Sequence, residues 1–144
     1  RSPLEARREP LMRGVIHHVD LTVKSAQASR AFYESVLGFM GYSIVDDRPA
    51  FVDFRLAGQP CFVGIATASG ANASRTHDRY SPGLHHIAWN AESRADVDAL
   101  YALLQSIGAN ILDAPTEYPQ YGAGYYAVFF ADPDGLKLEY VHKP

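Results

Sequence analysis

Two tetrapeptides, Ile16-His17-His18-Val19 and Leu84-His85-His86-Ile87, repeat almost residue for residue, and a carboxylate, Glu139, stands near the far end of the chain. Imidazole and carboxylate together suit a divalent first-row metal ion. A repeated unit puts equivalent residues at equivalent points of two modules, so two histidines remote in sequence can meet at one ion across a pseudo-twofold axis. A single histidine in a strand is more often an ordinary strand residue. The matched duplication, with a glutamate to complete it, turns the balance toward a metal site.

The elements that must hold these residues follow from periodicity. Alternation over residues 16–23 puts Ile16, His18, Asp20 and Thr22 on one face of a strand and His17, Val19, Leu21 and Val23 on the other. His18 therefore points away from the aliphatic side, and His17 and His85 are expected on the opposite face, packing or supporting the site from behind. Ser25 predicts a helix cap, with Ala28, Phe32 and Val36 as the apolar stripe and Gly38 as the stop. Three strands are expected next, over residues 42–45, 51–56 and 62–66. The second half repeats the order. It has a strand over 84–89 and a helix from Ser93 with Val97, Leu100, Tyr101, Leu104 and Ile107 on one stripe, ended by Gly108. Strands over 111–112, 125–130 and 136–142 follow. Residues 69–82 are polar and rich in Ser, Gly and Asn, which is linker chemistry.

Composition narrows the functional classes. At 144 residues and 47% hydrophobic content the chain suits one domain made of two halves, residues 14–68 and 83–144. A formal charge of -3 with scattered basic residues argues against nucleic acid and against a membrane surface, and leaves small-molecule chemistry. Cys61 is the only cysteine, which excludes an internal disulfide framework and a thiolate metal cluster and leads us to expect a cytoplasmic location. No apolar run approaches the roughly 18 residues of a membrane span. Residues 1–13, with four arginines and two prolines, are expected to be a disordered leader or an added extension, with Met12 as a natural start.

Three stretches now carry a family resemblance: residues 16–23, containing His17-His18-Val19-Asp20; residues 31–39, containing Ala31-Phe32-Tyr33; and residues 132–139, containing Asp132-Pro133-Asp134-Gly135 and Glu139. Together they resemble the vicinal oxygen chelate superfamily, which includes glyoxalase I, methylmalonyl-CoA epimerase, extradiol dioxygenases, fosfomycin-modifying enzymes and bleomycin-binding proteins. The resemblance covers residues 14–142. It implies an α+β fold of two tandem βαβββ modules forming a cupped, mostly antiparallel sheet with helices outside. It also implies one divalent transition metal (Fe, Mn, Ni, Co or Zn) held by His18, His86 and Glu139.

The isomerases of that superfamily take a fourth ligand, Glu or Gln, from the last strand of the first module. Residues 60–67 offer neither here. The remaining three-ligand set resembles that of the extradiol dioxygenases and fosfomycin enzymes. The dioxygenase tyrosine that contacts catechol corresponds to Phe129, and Tyr125, on the same strand face, offers a hydroxyl in its place. Asp20 shares the His18 face and is a candidate general base beside Tyr125 as a catalytic residue. Thr22, Phe129 and Tyr121 are candidate substrate contacts, Tyr121 lying in a Tyr-, Pro- and Gly-rich segment over 115–124 that reads as a lid or as a packed connector. The expected function is a metal-dependent lyase, isomerase or ring-cleaving dioxygenase acting on a small substrate with adjacent oxygens. The alternatives are a metal-free cleft that sequesters a drug or metabolite, and a purely structural metal clamp. A homodimer is expected, with modules pairing within one chain or across two.

Overall fold

The computed structural model describes residues 13–144; of the leader expected over residues 1–13, all but Arg13 lies outside that range. The aromatic and β-branched runs form strands and the two serine-capped segments form helices. The order is β1 (His18–Val23), α1 (Ala26–Phe39), β2 (Tyr42–Arg48), β3 (Phe51–Leu56), β4 (Phe62–Thr67), β5 (His86–Asn90), α2 (Arg94–Ser106), β6 (Asn110–Glu117), β7 (Tyr126–Ala131) and β8 (Lys137–His142). A 3-10 turn covers Pro119–Tyr121. The strands make two four-stranded sheets of the same order, β1-β4-β3-β2 and β5-β8-β7-β6. In each, the first strand pairs parallel with the last and the other pairs are antiparallel. The sequence repeat is thus a structural repeat, an α+β fold of two βαβββ modules.

Both caps form as expected, Ser25 Oγ accepting from the Ala28 amide at 3.2 Å and Ser93 Oγ from the Asp96 amide at 3.0 Å. Four expectations are corrected. Helix α1 runs through Gly38 to Phe39, and Gly41, at φ 101°, supplies the left-handed residue that turns the chain. Its buried stripe is Ala26, Ser29, Tyr33, Val36 and Leu37, leaving Ala28 exposed and Phe32 half-buried. Strand β6 spans eight residues instead of two, because its pairing with β7 shifts register at Ile111/Asp113 and again at Asp113/Thr116, which erases the alternation that marks a strand. On α2 the stripe holds at Val97, Leu100 and Leu104, while Ile107 is exposed beyond the helix end.

The core belongs to both modules. Leu21, Tyr33, Val36, Leu37, Val52, Phe54 and Ile65 from the first half form one cluster with Val97, Leu100, Leu104, Val128, Phe130 and Leu138 from the second. Each such side chain contributes about 1.5–3 kcal/mol when fully buried. A polar tie crosses the same junction. The Tyr33 hydroxyl donates to Asp132 Oδ2 at 2.6 Å, and Asp132 Oδ1 accepts from the amides of Asp134 at 2.9 Å and Leu136 at 2.8 Å. The Lys24 amide in turn donates to Asp134 Oδ2 at 2.7 Å. The Asp132-Pro133-Asp134-Gly135 turn is therefore what ties module two to module one.

Each helix covers one face of its own sheet, and these helix-bearing faces share the common core. The helix-free faces turn outward and carry the residues singled out for chemistry. Among the described residues no helix is long and apolar enough to cross a membrane.

Candidate metal centre

Period-two geometry sends alternate residues of β8 to opposite sides of its sheet. Leu138 and Tyr140 enter the common core, while Lys137, Glu139 and Val141 face the helix-free side. There Glu139 stands opposite Phe129 on β7 and beside Ala88 on β5, two register positions along from the His86–Lys137 pair and so on the same face. A second, smaller apolar cluster of Ala127, Phe129 and Val141, joined by Leu112, Tyr118 and Tyr125, surrounds it. The result is a carboxylate with a side chain only 3% exposed in an apolar setting. Such burial is costly unless both oxygens are engaged. Oε1 lies 3.0 Å from Nε2 of His86, and Oε2 accepts a short hydrogen bond from the Tyr125 hydroxyl. Burial first, and then that bond to Glu139, holds the Tyr125 phenol well above its ordinary range.

The rings around this point form an aromatic wall. Tyr118 stacks on Tyr121 at 5.7 Å between centroids and meets Phe129 edge to face at 5.4 Å, and Tyr121 meets Tyr125 at 5.4 Å. Lys137 Nζ sits 4.6 Å from the Phe129 centroid. Burial, followed by the charges of Asp113 and Glu139, raises the Tyr118 phenol as well.

His18, Asp20 and Thr22 share the helix-free face of the other sheet, as alternation requires. His18 Nε2 lies 4.0 Å from Asp20 Oδ2, and both side chains are more than half exposed. Asp53 on β3 faces the same region, its carboxyl raised by partial burial and by the neighbouring charges of Asp20 and Asp46. Thr22 instead borders a cavity of about 300 Å³ at the module junction, lined also by Lys24, His77 and Asp134.

The expected residues thus fall into two groups. His86, Glu139, Tyr125, Phe129 and Tyr121 come together, whereas His18, Asp20 and Thr22 stand on a separate sheet. Among the described residues no group of three or more histidine, cysteine, aspartate or glutamate side chains converges as a metal site. The His86–Glu139 pair fits a divalent ion: ligand atoms at about 2.1 Å from a metal and at right angles lie roughly 3 Å apart, the spacing seen here. Among the described residues His18 of the same chain does not join this pair.

The paired histidines depart from their expected placement. His17 precedes β1 and His85 precedes β5, and both are exposed, so of the two expected roles, packing or supporting the site, exposure counts against packing. In each module the Nδ1 atoms of the two rings approach one another, at 2.9 Å for His17 and His18 and 2.7 Å for His85 and His86. His17 also stacks on Phe62 at 5.2 Å. Partial desolvation, then the charges of His86, Lys137 and Arg79, lowers the His85 imidazole from its usual value. Sequence reasoning gave Lys137 no role and reached Tyr118 only as one of the tyrosines of the 115–124 segment. Lys137 was within reach of the same period-two argument that places Glu139, but Tyr118 is brought in only by the fold of the segment before β7.

Comparison with known proteins gives the context for this geometry. The glyoxalase/bleomycin resistance protein/dioxygenase superfamily profile matches residues 15–140. The uncharacterized protein YqjT of Bacillus subtilis (strain 168) is 30% identical over 126 residues, covering 88% of this chain and 97% of that protein. Among solved structures, a candidate glyoxalase from Bacillus halodurans has 29% identity and a TM-score of 0.78, with 91% of this chain and 97% of that one covered. Lactoylglutathione lyase from Agrobacterium tumefaciens shares the fold at 20% identity and a TM-score of 0.66, over 90% of this chain and 93% of that one. With the same repeat of strand, helix and three strands over nearly its whole length, this chain belongs to the glyoxalase/bleomycin resistance protein/dioxygenase superfamily.

Proposed function

We propose that the chain is a metal-dependent enzyme that chelates a small substrate through two adjacent oxygens, as a lyase, isomerase or ring-cleaving dioxygenase. His86 and Glu139 of one chain and His18 of a second copy hold one divalent transition metal. The observation that carries this reading is the buried Glu139 carboxylate, set against His86 Nε2 at 3.0 Å on an otherwise apolar face. When bound, the ion supplies Lewis acidity to the substrate oxygens. The chain's own residues do the rest. Tyr125 orients Glu139 through Oε2, Asp20 beside His18 takes up a substrate proton, and Phe129 and Tyr121 cover the substrate body and exclude water.

The homodimer in this reading is supported by topology. β1 and β5 each form one edge of their sheet, and His18 and His86 open them at equivalent positions. An edge strand presents unpaired backbone groups to a second copy, and a twofold arrangement would bring β1 of one chain beside β5 of the other. The cell compartment that suits the lone cysteine is the cytoplasm.

Elemental analysis of anaerobically purified protein beside its Glu139→Gln variant tests the proposal. About one transition metal per chain, lost in the variant, is expected; iron directs the substrate search to catechols, and nickel, cobalt or zinc to isomerisable oxo compounds. No metal in either protein, and none taken up on titration, overturns the enzyme reading. That result would favour the second reading, a cleft that sequesters a drug or metabolite without metal, which the aromatic wall of Tyr118, Tyr121, Tyr125 and Phe129 supports.

A further inference from the structure

The same contact recurs in both modules, each time between a proposed ligand, His18 or His86, and a neighbouring histidine that the ligand set leaves out. His17 Nδ1 lies 2.9 Å from His18 Nδ1, and His85 Nδ1 lies 2.7 Å from His86 Nδ1. Two ring nitrogens at this distance share one proton, so one ring donates and the other accepts. In the second module the far side of His86 decides the direction. Its Nε2 faces Glu139 Oε1 at 3.0 Å, and an ionised carboxylate only accepts. With His86 a neutral imidazole and no metal bound, that geometry puts the proton on Nε2, so His86 Nδ1 accepts and His85 Nδ1–H donates.

A histidine that binds metal through Nε2 must have its proton on Nδ1, and the group that receives that proton fixes the ring's tautomer and orientation. We propose that His85 is a positioning residue for His86, the pair exchanging tautomers when the metal enters, and that His17 holds the same place behind His18. The proton between the rings moves from His85 Nδ1 to His86 Nδ1, His86 releases its Nε2 proton to solvent, and His85 takes one from solvent at Nε2. Protons balance, and Nε2 of His86 is left with its lone pair toward the metal. A neighbouring imidazole thus does the work that a carboxylate or carbonyl does behind many metal-bound histidines. Both partners are adjacent in sequence, which explains why the dipeptide, and not a lone histidine, is repeated.

This inference rests on the metal reading above, and zinc is the probe that separates the two. Long-range 15N–1H spectra of the intact protein at pH near 8 report which nitrogen of each ring carries hydrogen. In the metal-free protein His86 is expected as Nε2–H and His85 as Nδ1–H; zinc inverts both. Zinc affinity measured by calorimetry should fall roughly tenfold in His85→Leu. His85→Asn should restore it, because its amide oxygen falls near the position of Nδ1, while His85→Gln, whose amide reaches the Nε2 position, should not. Wild-type protein that binds no zinc overturns the metal reading and this inference with it. Zinc binding that leaves the His85 tautomer unchanged, or that His85→Leu does not weaken, overturns the inference alone.

Discussion

If the third ligand comes from a second copy, two variants that each fail alone should repair one another. His18→Ala removes the ligand on β1, and Glu139→Gln removes the carboxylate on β8; the two side chains lie on different sheets with no convergence in one chain. In a twofold dimer each site takes His18 from one chain and His86 with Glu139 from the other. A mixed dimer then has one site with both lesions and one with none. Random assortment makes half of the dimers mixed, so about a quarter of the wild-type sites return. Each variant alone should lose affinity by at least the tenfold to hundredfold that follows from disturbing only the residues behind a metal. Co-expressing the two variants, dialysing against a limiting metal concentration and measuring metal per chain distinguishes the cases. Recovery near a quarter is expected. A mixture no better than the average of the two separate variants refutes the cross-chain site, since within one chain every copy would carry a lesion.

Other expectations follow from particular contacts. Tyr125→Phe leaves Glu139 Oε2 without its donor; metal affinity should fall about tenfold or more in a calorimetric titration, with little change in the circular dichroism of the fold. Tyr33→Phe removes the buried bond to Asp132 that joins the modules, a hydrogen bond to a charged group worth about 1.5–3 kcal/mol; the thermal midpoint should drop by roughly 5–10 °C, and an unchanged midpoint would show that the tie is idle. The phenols of Tyr33, Tyr125 and Tyr140 are all raised, by burial first and then by Asp132, Glu139 and Asp96 respectively. The folded chain therefore holds these protons more tightly than the unfolded one. Their stabilisation is complete below pH of about 10 and is lost as pH climbs above it. Melting curves between pH 8 and about 12 should fall on the alkaline side, and Tyr33→Phe should flatten that fall; a fall of the same slope in the variant would count against the assignment.

The repeat was legible because it is written twice. Ile16-His17-His18-Val19 and Leu84-His85-His86-Ile87 begin equivalent elements, and the serine caps at Ser25 and Ser93 mark equivalent helices. The alternation that puts His18 with Asp20 and Thr22, and Glu139 on the face opposite Leu138, is local geometry and needs no tertiary knowledge. Local rules failed where distant contacts decide. The stripe of α1 turns on Tyr33, whose hydroxyl is claimed by Asp132 from the other module. Strand β6 is held by partners on β7 despite two register shifts, and α1 passes through Gly38 because packing on both flanks outweighs one glycine's helix penalty of about 1 kcal/mol. The sequence by itself determined which residue types sit on which face of which strand, because side-chain direction in a strand depends only on parity. Tertiary structure alone decided which faces meet. The two modules join through their helices, so His86, Glu139, Tyr125 and the tyrosine wall converge while His18 is turned to a separate face, and no periodicity along the chain encodes the choice of which sheet backs onto which.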